Sequence, residues 1–374
     1  MRRALVSVVL VCSACGTPGE LPSAGGGSEA GGSEAAAGGG ATAGGGANAG
    51  GGATATAGGG TATAGGASAG GATAGGASAG GGASTGPDVD RTNPQLFQLG
   101  FTAKTADDAG TAWLGTQRAY LDTRATPRGQ LVVYLHGATD VANPLTACGS
   151  VEHGRLLAGL GFHFFAPCYA SDYGVGNCGQ DIGGCRLEAF DGMPRHAALT
   201  VTRPNSIEER IIKGLEHLGR INPQGDWAWF LNGGQPRWGS IIISGISHGA
   251  SSAGVIAKVR PVSRAVMLSG PLDTNQPWLT MTSVSPLSAF WGFTHTGDSQ
   301  HPGHLESFAD LNVPGMPVTI EDAGTPWGGS HRLRTSVPTG NGHGSTEAGS
   351  ASPKYTDGGY IFAPVWRQLY TGGP

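Results

Sequence analysis

The sequence predicts an α/β fold, a mostly parallel central sheet flanked by helices, and three observations carry that expectation. Short apolar runs recur after residue 118 and are continuous rather than alternating, the pattern of strands buried on both faces. Turns and helical patterns separate these runs, as in a chain built of strand-helix units. One segment, Ser206 to Leu218, sets Ile207, Ile211, Leu215 and Leu218 on a single helical face behind a Ser206 and Glu209 capping box.

In chain order the strands are read as Gln130 to Leu135, Phe162 to Pro167, Ser240 to Ser244, Ala265 to Ser269 and Ala289 to Thr294. A further strand, Pro317 to Glu321, is expected to form a hairpin with Arg332 to Val337. In such sheets ligands bind in the crevice outside the carboxyl ends of the strands. The tryptophan-rich segment 226–238 enters a strand instead of leaving one, so Trp227, Trp229 and Trp238 read as packing or surface residues.

Composition divides the chain of 374 residues before any fold is considered. Of its 69 glycines, 29 lie between residues 16 and 86 among little but Ala, Ser and Thr. From about residue 41 to 84 no large apolar side chain is present, so the stretch cannot offset its own ordering entropy. It reads as a linker over 16–87, a coil spanning roughly 45 to 50 Å. A strict Gly-X-Y period with proline is missing, which argues against collagen. Residues 88–374 are left as the folded domain. Only 13% of residues are charged and the formal net charge is −4, which argues against a strongly basic nucleic-acid binder.

The amino-terminal fifteen residues carry Arg2 and Arg3, an apolar stretch from Ala4 to Val11, and then Cys12-Ser13-Ala14-Cys15. The apolar stretch is too short to span a bilayer. The segment resembles a bacterial lipoprotein signal, which implies cleavage before Cys15 and lipid on its thiol. Cys12 departs from that pattern, where an aliphatic residue is usual, so secretion without lipid stays open. Either way the chain is expected to be exported, and its membrane contact is through the lipid anchor alone. Four cysteines follow: Cys148, Cys168, Cys178 and Cys185. An even number in an exported chain favours two disulfides, and no adjacent pair has zinc-ligand spacing. The most local pairing joins 148 with 168 and 178 with 185; the other two pairings stay open.

The strongest chemical signal is Gly245-Ile246-Ser247-His248-Gly249, between the apolar run ending at Ser244 and the small residues Ala250 to Gly254. A serine on a sharp strand-to-helix turn needs small neighbours, because bulky ones would clash with the adjoining elements. In this context the sequence resembles the α/β-hydrolases over roughly residues 118 to 370, with a likeness to exported esterases and polyester depolymerases.

The resemblance implies a triad in the chain order Ser, acid, His. Ser247 is the implied nucleophile. The acid is expected on the loop after the second strand beyond the serine strand, where His295-Thr296-Gly297-Asp298 follows AFWGFT, making Asp298 the candidate. Asp273, after the preceding strand, and Asp322, at the end of the next, are rivals. His343 in Gly-Asn-Gly-His-Gly-Ser is favoured as general base over His331, because it would follow the last strand instead of preceding it. The implied oxyanion donors are the N–H of His248 and, from Leu135-His136-Gly137-Ala138, that of Ala138 or its neighbour.

A competing pattern is Asp298, His301 and His304, spaced as metal ligands could be on a helical turn. Ser-Gln and Pro-Gly before the two histidines are poor helical material, which counts against it. Tyr169 to Thr202, cross-linked through its cysteines, would form a rigid rim above the serine. Trp278, Leu279 and Met281 could line an acyl pocket or cover the core. Together these readings give the expectation of an exported serine hydrolase that cleaves carboxylic esters through an acyl-enzyme and uses no cofactor. A peptidase or lactonase on the same triad, or a surface binding module without turnover, are the alternatives.

Overall fold

The computed structural model describes residues 86–139 and 145–372. The signal-like segment with Cys15, and the linker up to residue 85, lie outside the described residues. In chain order the strands are β1 (Leu96–Thr102), β2 (Thr116–Asp122), β3 (Leu131–Leu135), β4 (His163–Ala166), β5 (Leu231–Asn232), β6 (Gln235–Pro236), β7 (Ile241–Ile246), β8 (Arg264–Leu268), β9 (Phe290–His295), β10 (Val318–Thr319) and β11 (Arg332–Thr335). The helices are α1 (Ala103–Ala106), α2 (Val151–Gly159), α3 (Val175–Cys178), α4 (Ile182–Asp191), α5 (Ile207–Ile221), α6 (His248–Val259), α7 (His301–Asp310) and α8 (Ala363–Thr371).

The large sheet has the order β1-β2-β4-β3-β7-β8-β9-β11-β10, and β5 with β6 is a separate small pair. Strand β2 pairs antiparallel with both β1 and β4, and from β4 to β10 every neighbouring pair is parallel. Every residue of β3 and of β7 is buried, which is why these runs read as continuous. Alternation persists in which core they enter. Leu131, Val133 and Leu135 join Ile211, Leu215 and Phe190 on one face of the sheet. Val132 and Tyr134 join Leu157, Trp366 and Leu369 on the other. Helices α4, α5 and α6 thus cover one face, and α2 and α8 the other.

Helix α5 starts where the sequence places it, with Ser206 Oγ accepting from the Glu209 amide at 3.3 Å. Only half of the capping box forms. The Glu209 carboxylate turns to Arg203 Nε at 2.8 Å, and the Ser206 amide donates to the Arg203 carbonyl instead. Trp227 is fully buried with its Nε1 donating to Asn222, Trp238 is buried, and Arg237 lies over the Trp229 ring.

Two expectations need correction. β10 and β11 do not form a hairpin; they pair in parallel, Val318 with Leu333 and Thr319 with Arg334. The chain from 320 to 331 is long enough to carry it back to the starting edge of the sheet, as parallel pairing requires. Pro302 and Gly303 do not prevent a helix after His301, because they fall in the first turn of α7, where the missing proline N–H would have no helical acceptor.

The disulfides are Cys148–Cys168 and Cys178–Cys185, the most local pairing. The first joins the loop before α2 to the exit of β4, and the second joins α3 to α4. Among the described residues no helix is long and apolar enough to cross a membrane.

Candidate active site

Ser247 is the single residue between the end of β7 and the start of α6. It has φ 57° and ψ −119°, a conformation a residue with a Cβ rarely adopts unless its surroundings hold it there. The flanking glycines explain how the surroundings do so. A Cβ on Gly249 would lie 2.0 Å from the Leu135 carbonyl oxygen, and one on Gly245 would lie 2.5 Å from the Gly249 carbonyl carbon. Both positions must be bare for β3, β7 and the turn to meet. Ser247 is partly exposed while its neighbours on either side are buried, so the turn presents the hydroxyl at the carboxyl edge of the sheet.

Asp298 lies on the turn that leaves β9, its amide donating to the His295 carbonyl at 3.0 Å. Its carboxylate is nearly fully buried. Oδ1 accepts from the Gln300 amide at 3.0 Å, and Oδ2 meets His343 Nδ1 at 2.7 Å. His343 follows β11, and Gly342 lets it come close: a Cβ there would lie 2.7 Å from the Asp298 amide nitrogen.

The end of strand β8 holds both the serine turn and the histidine loop, while Ser247 Oγ and His343 Nε2 are not hydrogen-bonded to each other. The Ser247 amide donates to the Leu268 carbonyl at 2.9 Å, and the next side chain, Ser269 Oγ, donates to the His343 carbonyl at 2.8 Å. Both segments therefore hang from consecutive residues at the carboxyl end of β8. Neither Ser247 Oγ nor His343 Nε2 bonds to another described residue. Nothing in the sequence pattern singled out Ser269; its hydroxyl matters because of where the strand ends.

The rival residues are engaged elsewhere. Asp273 receives two hydrogen bonds from Arg186, at 2.6 and 2.8 Å, and one from Trp278 Nε1 at 3.0 Å, with both members of the ion pair buried. Asp322 is exposed on a turn. His331 lies at the entrance of β11, its ring stacked on Trp291 with centroids 3.4 Å apart and its Nδ1 on the Phe290 carbonyl. His301 turns to Thr294 Oγ1 at 3.3 Å. His304, fully buried, bonds the same hydroxyl at 2.8 Å and stands 3.9 Å from Asp298 Oδ2. The grouping that forms is thus Asp298, His304 and His343, not Asp298, His301 and His304.

The loop after β3 passes beside the serine, since a Cβ on Gly137 would come within 3.5 Å of Ser247 Cβ. Ala138 on this loop is exposed, and His248 opens α6, where helical N–H groups have no partner within the helix. Neither amide donates to a described residue. Burial pushes the His136 imidazole down to about 4, so it is neutral at pH 7. Tyr169 OH donates to the His136 carbonyl at 2.7 Å, the Tyr173 ring lies edge-on to His248, and Arg186 Nη1 donates to the His248 carbonyl. The disulfide-bonded segment after β4 therefore braces the start of α6. Trp278 and Leu279 belong to the core, with Trp278 packed over Gly183 and Gly254, and Met281 is only partly buried.

No family model matches the chain, and no curated protein does. Among solved structures it is similar to a putative dienelactone hydrolase from Klebsiella pneumoniae, at 12% identity and a TM-score of 0.37 over 74% of this chain and 98% of that one. An α/β hydrolase from a Medee basin deep-sea metagenome library matches at 14% identity and TM-score 0.37, over 74% and 96% of the two chains. Esterase B from Lactobacillus rhamnosis matches at 12% and 0.35, over 64% and 75%. At these scores the functional reading has to rest on this chain's own residues. The strand order, with β2 antiparallel to its neighbours and a serine turn after β7, is that of the α/β-hydrolase fold.

Proposed function

We propose that the protein is an exported serine hydrolase that cleaves carboxylic esters through an acyl-enzyme. Ser247 attacks the carbonyl carbon while His343 Nε2 takes the hydroxyl proton and then passes it to the leaving alcohol. Asp298 holds the proton on His343 Nδ1, which leaves the lone pair on Nε2, and stabilises the imidazolium that forms. The amides of His248 and Ala138 receive the tetrahedral oxyanion, each such donor contributing about 3 to 4 kcal/mol of barrier reduction. Water then repeats the sequence on the acyl group and releases the acid.

One observation carries this reading: a strained serine and an imidazole held at 2.7 Å by a buried carboxylate are tied to consecutive residues of one strand end. Export is supported by the two disulfides, which persist in oxidising compartments; a lipid on Cys15 belongs to the same proposal.

A fluorophosphonate probe tests the enzyme directly. Covalent labelling of the full chain, absent in Ser247→Ala, is the expected result, together with turnover of p-nitrophenyl esters whose best chain length sizes the acyl site. A protein that neither labels nor turns over any ester from acetate to palmitate would instead be a binding module on a hydrolase scaffold.

A further inference from the structure

His343 is not the only imidazole facing Asp298. His304 on α7 is fully buried, and its Nδ1 stands 3.9 Å from Asp298 Oδ2, beyond hydrogen-bond range. One ligand atom from each of Asp298, His304 and His343 falls within 4.8 Å of the others. Two imidazoles and a carboxylate are a donor set that zinc accepts, with a fourth position left for water.

The two distances to Asp298 lie close to those a small ion needs, and the third edge of the triangle is at most 4.8 Å. Bonds of about 2.0 to 2.2 Å in a tetrahedron place neighbouring ligand atoms roughly 3.3 Å apart. To reach that value from 2.7 Å, the Asp298 and His343 atoms open by about 0.6 Å; from 3.9 Å, those of Asp298 and His304 close by about 0.6 Å. The His343 side chain is 34% exposed, against 3% for Asp298 and none for His304, so the ion has a route in from solvent past His343. If His304 turns its Nδ1 to the ion, the Thr294 hydroxyl that it releases still has His301. The other cluster of this kind among the described residues, Cys178, Cys185 and His196, has both its sulfurs locked in a disulfide.

We propose that Asp298, His304 and His343 form a zinc site and that zinc bound there switches the hydrolase off. Zinc takes the His343 Nδ1 lone pair while the imidazole proton moves from Nδ1 to Nε2. The ring stays neutral and no proton is gained or lost overall. Nε2 then has no lone pair with which to accept the Ser247 proton, and Asp298 neutralises the metal instead of an imidazolium. The inhibition rests on the triad reading above; the binding does not.

The experiment therefore has two arms. In the first, full-length Ser247→Ala protein in chelator-free buffer is titrated calorimetrically with zinc chloride. One ion per chain is expected, with affinity at least about tenfold weaker when His304→Gln or Asp298→Asn is added. In the second, zinc chloride inhibits p-nitrophenyl ester hydrolysis by the wild-type chain and EDTA restores it, while His304→Gln retains hydrolysis and resists zinc. Failure of Ser247→Ala to bind zinc, or an affinity that neither added variant weakens relative to Ser247→Ala, would overturn the site whatever the esterase assay shows. Zinc binding without inhibition of an active enzyme would overturn the switch.

Discussion

The Ser269 hydroxyl donates to the His343 carbonyl at 2.8 Å and also meets Thr346 Oγ1 at 2.8 Å, pinning the histidine loop to the end of β8. Ser269 is fully buried, so its removal leaves the Thr346 hydroxyl and the His343 carbonyl with only their long mutual bond of 3.5 Å. Ser269→Ala should lower stability by about 1 to 3 kcal/mol. It should also slow ester hydrolysis more than it raises KM, because the loop that carries His343 loses its tether while the substrate's own contacts are untouched. Urea titration and steady-state kinetics on the same preparation check both halves. Unchanged kcat beside a clear loss of stability would show that the tether does not position the base.

The two aspartates compared above make opposite predictions. Asp298→Asn keeps the shape of the turn but no longer holds the proton on His343 Nδ1, so hydrolysis should fall by roughly 10³ to 10⁴-fold with little change in melting temperature. Asp273→Asn leaves Arg186 buried without its counter-charge and should destabilise the fold by about 3 to 5 kcal/mol. Any of the Asp273 variant that folds should keep most of its activity. Thermal melts and kcat/KM values on both variants decide which carboxylate serves the histidine; a reversed pattern would move the acid to Asp273.

The fold and the candidate site were legible in the sequence to different degrees. Strands β3, β4, β7, β8 and β9 could be read because burial on both faces makes them nearly continuous apolar runs. Strand β1 was not read: it lies at the edge of the sheet, mixes polar with apolar residues and buries little but Phe101. Ser247, Asp298 and His343 could be named because each lies on the connection that follows a strand, a local property. His304 approaches Asp298, and Ser269 holds the His343 loop, through contacts between distant segments, which spacing does not encode. The parallel pairing of β10 was hidden for the same reason, since its partner is chosen by how the connection runs.

Stability should depend on pH in two opposing ways. Glu347 accepts a hydrogen bond from the fully buried Tyr134 hydroxyl, and burial pushes its carboxyl up to about 7, although the Tyr134 bond pulls the other way. An unfolded glutamate titrates near ~4.3, so between these values the folded protein holds the proton more tightly and stability falls as pH rises. Burial pushes His136 and His163 down to about 4 and His153 to about 3, so for these groups stability is lost as pH falls below the unfolded value of ~6.5. Three histidines outweigh one glutamate where the two ranges overlap, so stability should rise with pH and level off above about pH 7. In Glu347→Gln the rise between about pH 4.5 and 7 should be steeper, with the variant gaining on wild type across that interval and the difference levelling off above it. Melting temperatures across pH 4 to 9 test this; a difference between the two proteins that is constant over the range would mean Glu347 does not titrate there.

The disulfides should differ in weight because they close loops of different length. Cys148–Cys168 spans 20 residues and Cys178–Cys185 only 7. Restriction of the unfolded chain then predicts losses of about 3 and about 2 kcal/mol for the corresponding paired alanine variants. The longer bridge has a second consequence. Cys148 and Cys168 line a small cavity together with Trp113, His136, Thr139 and Tyr169, directly behind the loop that carries Ala138. Without that bridge the wall behind the proposed oxyanion donor should loosen, so Cys148→Ala with Cys168→Ala should reduce kcat as well as stability. Urea midpoints and ester kinetics on the two paired variants provide the comparison. If the shorter bridge proves the more stabilising, chain entropy is not what these cross-links contribute; if the longer one leaves kcat unchanged, the cavity wall does not support the donor.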